Sequence, residues 1–413
     1  MVGEFRRYLF PHNHPRLSEI RGMDAYSYRD KAREEGTFTG NLIAGWRPLY
    51  LNEFRGITED GRLRNDVHRY DPPLEGEQAP VAAMVAAANE LLVSLDQESR
   101  TRFRYSVDAR EWQTWANPEF MQFDTGIRLE FQPQEVRDNA LALVAASLSS
   151  DGYRLVRDTM LINGFLGDIL DLQGVLNQYS YNMALYGDPH ETEPWGWQLY
   201  GHHLAVNCLV IGGRMVIGPV FFGAEPNEID EGPHRGVESL SRRIDLGRQL
   251  MSELTPEQRV SATVYDQMVD PAMPEGRVHS GDERHLAGAF QDNRIIPFEG
   301  VSVSSLSARA QGLVLDIVEQ FYALLPDGPR SGRLREVRRF LDETWLSWIG
   351  GHGPGDVFYY RIQSPSVVIE LDHHCGVFLD YASPQPFHIH TVLRTPHGND
   401  YGRAYLRQWQ ALQ

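Results

Sequence analysis

Cysteine is nearly absent: Cys208 and Cys375 are the two in 413 residues. Two thiols cannot build a disulfide framework, so a reducing compartment, the cytoplasm, is expected. Long apolar runs are missing too. None approaches the ~20 residues that span a bilayer, and mean hydropathy is −0.40. The opening MVGEFRRYLFPHNHPRLSE has neither the apolar centre nor the small-residue cleavage site of a secretory signal. Basic charge is short, with 39 Lys+Arg against 56 Asp+Glu and a net charge of −17. Such a surface repels nucleic acid and anionic lipid, so neither is an expected partner. There is no P-loop, no GxGxxG after a strand, no GxSxG and no CxxC. Nucleotide-dependent, dinucleotide-binding and α/β-hydrolase chemistries lose their main supports.

Apolar residues make up 42% of the chain, enough for a large core, and the length suits two domains or two halves of one. Residues 1–78 are rich in Arg, Gly, Pro and aromatics without periodicity and read as an irregular arm. From Pro80 the pattern is helical, with Val81, Met84, Val85, Ala88, Leu91 and Leu92 on one face. A second helix follows Pro133, with Asp151-Gly152 as its stop signal. The stretch WQLYGHHLAVNCLVIGGRMVIGPVFFGAEP reads as two strands joined at Gly212-Gly213.

The order then repeats. LMSELTPEQR (250–259) echoes LLVSLDQESR (91–100), and the segment 301–328 echoes 127–152. A further helical segment leads to a second hairpin, VFYYRIQSPSVVIELDHH with PFHIHTVLRTP. The expectation is an α+β protein of two related halves, 79–245 and 246–413. Each would be helices followed by an antiparallel hairpin, from an internal duplication.

His388 and His390 alternate in FHIHTVL, so a strand puts both on one face and Phe387 and Ile389 on the other. Parallel imidazoles one strand repeat apart suit a transition metal or Zn. If the intervening loop centres near Asp380, Glu370 faces His390 and Asp372 faces His388. Glu370 is then a ligand or a base beside the rings. Aligning WQLYGHHLAVN with YRIQSPSVVIE sets Asn207 against Glu370 and puts His203, Ala205 and Asn207 on the polar face. Two facing hairpins would bring His203 to His388 and His390, with His202 ranked behind it as a structural histidine.

His373 and His374 sit at a strand end and read as exposed. His12 and His14 lie on an arm that is a poor ligand platform. Glu225 is a candidate general base, although a turn carboxylate is more often simply solvated. Arg394, Asn399 and Asp400 would orient a substrate carboxylate or cap the last helix, capping being favoured for Asp400. Tyr179, Tyr181, Tyr186, Trp195, Trp197 and Tyr200 are core or line a pocket, and Trp195, Trp197, Tyr200 and Asn207 are the expected substrate contacts.

The blocks WGWQLYGHHLAVN, FFGAEP, LSSDGY and HIHTVLRTPHGNDYG together resemble the bacterial family of unknown function numbered 3500, over about residues 80–410. The resemblance implies that the GHHL and HxH blocks recur together. It carries over onto His202, His203, Glu370, His388, His390, Arg394, Asn399 and Asp400, and it supplies no reaction. HHCG, after the acidic strand, departs from the pattern and leaves His373 and His374 unassigned.

The leading expectation is a metal-dependent hydrolase. His203, His388 and His390, with Glu370, would hold one Zn, Mn, Fe or Cu ion that activates water against a small organic or aromatic substrate. An oxygen-dependent Fe or Cu enzyme would use the same ligands. A binding protein without catalysis is the alternative from another class. A homodimer is compatible with each of these readings.

Overall fold

A computed structural model describes residues 3–413 as a mixed α/β protein built on one sheet. Its helices are α1 (Pro15–Ser18), α2 (Ala25–Ala32), α3 (Phe38–Leu51), α4 (Val81–Ser94), α5 (Gln97–Phe103), α6 (Gln134–Ser147), α7 (Ser150–Leu170), α8 (Ser241–Glu253), α9 (Pro256–Ala262), α10 (Ala308–Tyr322), α11 (Asp327–Arg338) and α12 (Arg403–Gln410). Its strands are β1 (Arg104–Tyr105), β2 (Ile127–Arg128), β3 (Tyr181–Tyr186), β4 (Trp195–Gly201), β5 (Leu204–Ile211), β6 (Arg214–Ala224), β7 (Thr263–Tyr265), β8 (Val301–Ser302), β9 (Trp345–Gly350), β10 (Phe358–Gln363), β11 (Val368–His373) and β12 (Ile389–Arg394). No described helix is long and apolar enough to cross a membrane.

Neighbouring strands run β1-β3-β4-β5-β6-β12-β11-β10-β9-β7, with β2 beside β3 and β8 beside β9. The order thus reads the same from either end, and the antiparallel β6–β12 pair is its centre. The two hairpins therefore lie side by side in one sheet instead of facing each other. Each also has more strands than its sequence suggests. The turn His202-His203 splits the first run, so that β4, β5 and β6 stand where two strands were expected. That turn is hidden in the sequence because His203 takes a left-handed backbone (φ 60) that usually marks Gly or Asn.

Asp151-Gly152 starts a helix instead of stopping one. Ser149 caps the N–H of Gly152 and opens α7, and Asp327-Gly328 likewise begins α11, there behind Pro326 and without a side-chain cap. The 79–94 helix is present as α4 with Met84, Ala88 and Leu91 buried. The arm is less irregular than expected, since it holds α1, α2 and α3.

Alternation along the strands gives the two sheet faces different chemistry. Trp197, Leu199, Val206, Cys208, Ile369, Leu371, Ile389 and Leu393 point to the layer that contains α4, α6, α8 and α10. The other face carries buried polar groups among fewer apolar ones: Gln198, Asn207, Arg361, Glu370, Asp372, His390 and Arg394. It is closed by the arm and by the long segment 266–300, whose Trp46, Leu286, Ala287, Phe290 and Ile296 join that side's core. A buried polar face must satisfy its groups internally, and that requirement shapes the site.

Candidate metal centre

The turn between β4 and β5 presents the first imidazole. Gly201 pairs with Leu204, so His202 and His203 form the whole loop. The His203 N–H donates to Asn117 O (3.1 Å), and its carbonyl accepts from Gly223 N–H (2.8 Å). These bonds hold its left-handed backbone in place. The His202 ring stacks on that of His203 with centroids 3.8 Å apart, while its Nδ1 lies 2.8 Å from Asn163 Oδ1. His202 backs the site.

β12 and the residue just before it supply the other two rings, His390 and His388. His390 pairs with Gly223 of β6 on one side and with Asp372 of β11 on the other. The register expected from a loop centred at Asp380 is thus displaced, and Glu370 lies opposite Val392. Nε2 of His390 is 3.1 Å from Nε2 of His388 and 3.1 Å from Nε2 of His203. All three rings are buried. Ligands on a tetrahedral ion with bonds of about 2.0–2.1 Å stand about 3.3–3.4 Å apart, and cis octahedral ones about 3.0 Å. The observed spacing falls between those limits.

Gly223 is what lets the rings meet: a Cβ there would stand 2.9 Å from Cδ2 of both His203 and His390. Burial, followed by the neighbouring histidines, pushes His203 and His390 far below the ordinary imidazole range, and burial lowers His388 as well. Neutral imidazole is the ligand form.

The carboxylates near this trio are already engaged. Glu225, expected as a general base at a solvated turn, is fully buried. It accepts from the N–H groups of Val377 (3.0 Å), Phe378 (3.1 Å) and Leu379 (3.3 Å) and from Tyr381 OH (2.9 Å). Its Oε1 is 3.7 Å from His388 Nδ1, so it acts on that ring as a nearby charge.

Glu370 is held away from the three rings. Its oxygens take Leu286 N–H (2.9 Å), Ala287 N–H (2.9 Å), Tyr359 OH (2.6 Å) and His285 Nδ1 (3.3 Å). Burial alone would raise its pKa, but the His285 hydrogen bond and charge, with Arg361, bring it down to about 2. Asp372 receives both the N–H and the Nε–H of Arg284 and is likewise held well below the carboxylate range against the pull of burial. Together these two strand carboxylates pin residues 284–287 over His390.

That segment brings in a histidine the sequence did not single out. His285 sits in an aperiodic loop, and its one signal is that the two acidic strand residues need buried partners. One ring nitrogen from each of His285, His374 and His390 lies within 4.8 Å of the others. His374, expected to be exposed, is buried, as is His373, whose Nδ1 lies 2.8 Å from Phe358 O.

The remaining expected site residues hold the frame. Arg394 is buried, ion-paired with Asp292 and Asp400, and donates to Ala287 O (3.1 Å) and Gly288 O (3.0 Å). Asp400 serves that pair and the Thr395 N–H (2.7 Å) instead of capping α12. Trp195 and Trp197 point into the helix-side core, Trp197 donating to Ser147 Oγ (2.9 Å). Tyr200 is on the polar side, with its OH donated to Phe123 O (3.0 Å). Asn207 is buried between Gln198 (2.6 Å) and Pro219 O (2.7 Å). An aromatic wall made of Trp195 and Trp197 is therefore replaced by packing.

The profile of the family described as "Protein of unknown function (DUF3500)" matches residues 77–403. No curated protein matches the chain, and no solved structure does.

Proposed function

This chain belongs to the DUF3500 family, and we propose that it is a metal-dependent enzyme in which His203, His388 and His390 hold one divalent transition ion. The reading rests on one observation: buried His390 Nε2 stands 3.1 Å from Nε2 of both His388 and His203, and the ligand nitrogens of the three lie within 4.8 Å of one another. Three protein nitrogens leave a tetrahedral ion one position for water, whose pKa such an ion lowers towards neutrality. Hydrolysis of a small organic substrate needs only that water and a base to take its proton. Glu370, first expected as a ligand, instead fixes His285.

Metal analysis of the purified chain tests the reading. We expect bound transition metal in the wild type and its loss in His388→Ala and His390→Ala, with melting curves still cooperative. Hydrolysis of a chromogenic ester should follow the metal. A His203→Ala/His388→Ala double variant with full occupancy would overturn the centre.

A second reading is favoured by the all-nitrogen donor set and by the occupied state of Glu225 and Glu370, neither of which is free to act as a base beside the ion. Imidazole ligands also suit copper or iron in oxygen-dependent chemistry. Oxygen uptake by the copper- or iron-loaded chain, absent with zinc, would select it.

We also propose that the two halves descend from one duplicated unit. The matched strand order supports this, as do Gly126 and Gly300, left-handed glycines that each precede the short strand, β2 or β8, lying beside the next long one. Cys208 and Cys375 are unpaired, which supports a reducing compartment.

A further inference from the structure

We propose that the chamber takes a second divalent ion, held by His285, His374 and the far side of the His390 ring, so that His390 is shared between two ions. The inference rests on the reading of His203, His388 and His390 as a metal centre and extends it across the polar face.

Three buried ring nitrogens carry it, two without any partner and one beside a single carboxylate oxygen. His285 Nδ1 is 3.3 Å from a Glu370 oxygen, and because that carboxylate can only accept, the ring proton sits on Nδ1. This leaves the Nε2 lone pair buried with no hydrogen-bond partner. A carboxylate behind a histidine that aims its other nitrogen into a closed space is the usual support of a metal ligand. His374 Nε2 also lacks a hydrogen bond, although Asp372 Oδ2 stands 3.1 Å away, and its ring centroid is 3.7 Å from that of His390. The third is His390 Nδ1. With Nε2 given to the first ion, a neutral ring carries its proton on Nδ1, where no acceptor is in reach. A buried donor left bare is costly. Binding a second ion at Nδ1 removes the problem, and the displaced proton passes to the buffer.

Charge points the same way. Four carboxylates, Asp282, Glu283, Glu370 and Asp372, lie on this side of the chamber against two buried guanidiniums, Arg284 paired with Glu283 and Asp372, and Arg361 on the strand beside Glu370. Both oxygens of Asp282 are buried without a hydrogen bond. Buried carboxylates in excess of buried cations call for a cation. The rival arrangement leaves the chamber without a second ion and sets His374 directly against Asp372 and Glu283, 3.1 and 3.7 Å away.

Counting ions separates these. The chain is stripped with a chelator, reloaded with cobalt(II), passed through gel filtration and analysed for cobalt per chain. We expect two ions in the wild type, one in His285→Ala and in His374→Ala, and one in His388→Ala. The cobalt EPR signal should show coupling in the wild type that each single-ion variant loses. One cobalt in the wild type, unchanged in His285→Ala, would overturn the shared centre and leave the first site standing. No cobalt at all would sink both. The wild-type count needs no variant to fold, and chelator-treated melts check the variants that do.

Discussion

Adding one methyl group at Gly223 should damage the proposed centre without removing any ligand. The Cβ of Gly223→Ala would sit 2.9 Å from Cδ2 of His203 and of His390, about 0.5 Å inside the 3.4 Å at which ordinary contact begins. Each Cδ2 is bonded to the Nε2 that faces the ion. The backbone has little room to yield, because Gly223 pairs with His390 and donates to His203 O. The rings must therefore turn apart. Ligand positions tolerate about 0.2 Å, so a shift of this size should cost roughly 10–100-fold in affinity, as supporting-residue changes do. Overpacking adds about 1–3 kcal/mol of destabilisation to the metal-free protein. Denaturant melts with saturating zinc and with chelator measure both terms. The zinc-dependent part should shrink by about 1.4–2.8 kcal/mol, since each tenfold in affinity is about 1.4 kcal/mol. Wild-type zinc affinity in a folded Gly223→Ala would show that the rings do not meet a common ion.

Three other outcomes follow from the same geometry. Gly312→Ala in α10, where a Cβ meets nothing within 4 Å, should stabilise the chain by about 1 kcal/mol and serves as a control. Arg394→Met should destabilise by about 3–5 kcal/mol in chemical melts, because it strands Asp292 and Asp400 in the interior; a loss under 1 kcal/mol would contradict the role assigned to it. His68 is buried with Nε2 2.8 Å from Pro396 O, and burial, with Arg333 nearby, lowers its pKa to about 3. Its folded pKa is below the unfolded value of about 6.5. Its contribution is therefore complete above pH 6.5 and fades as the pH falls towards 3, by on the order of a few kcal/mol. His68→Gln should flatten the fall in stability across that window; an unchanged slope would contradict the assignment.

Sequence periodicity found the elements that follow simple rules. The helix from Val81, the Gly212-Gly213 turn and the alternation of His388 and His390 all depend on spacing alone, and the alignment of Asn207 with Glu370 matches their common register, each pairing across to a polar residue, Gln198 or Arg361. What escaped depends on tertiary context. The turn at His202-His203 carries no Gly, Asn or Pro signal. The pairing of Glu370 with Val392 was missed because it depends on the length of strand lost to the loop after His373. His374 read as exposed because a strand end usually is, but Glu283 and His285, drawn in with Glu370 and Asp372, pack against it from one side and His388 and His390 from the other. His285 lies in a loop with no period, so its place over His390 follows from carboxylates more than eighty residues away.

The β6–β12 pair has a mechanical consequence. His203 and His390 come from opposite sides of that seam and are 187 positions apart in the chain. An ion gripping both would close a loop of that size, and by the chain-entropy treatment of cross-links such a closure is worth on the order of 5 kcal/mol. It would work as a removable staple between the two halves of the polypeptide, released by a chelator and refastened by metal with every covalent bond left untouched.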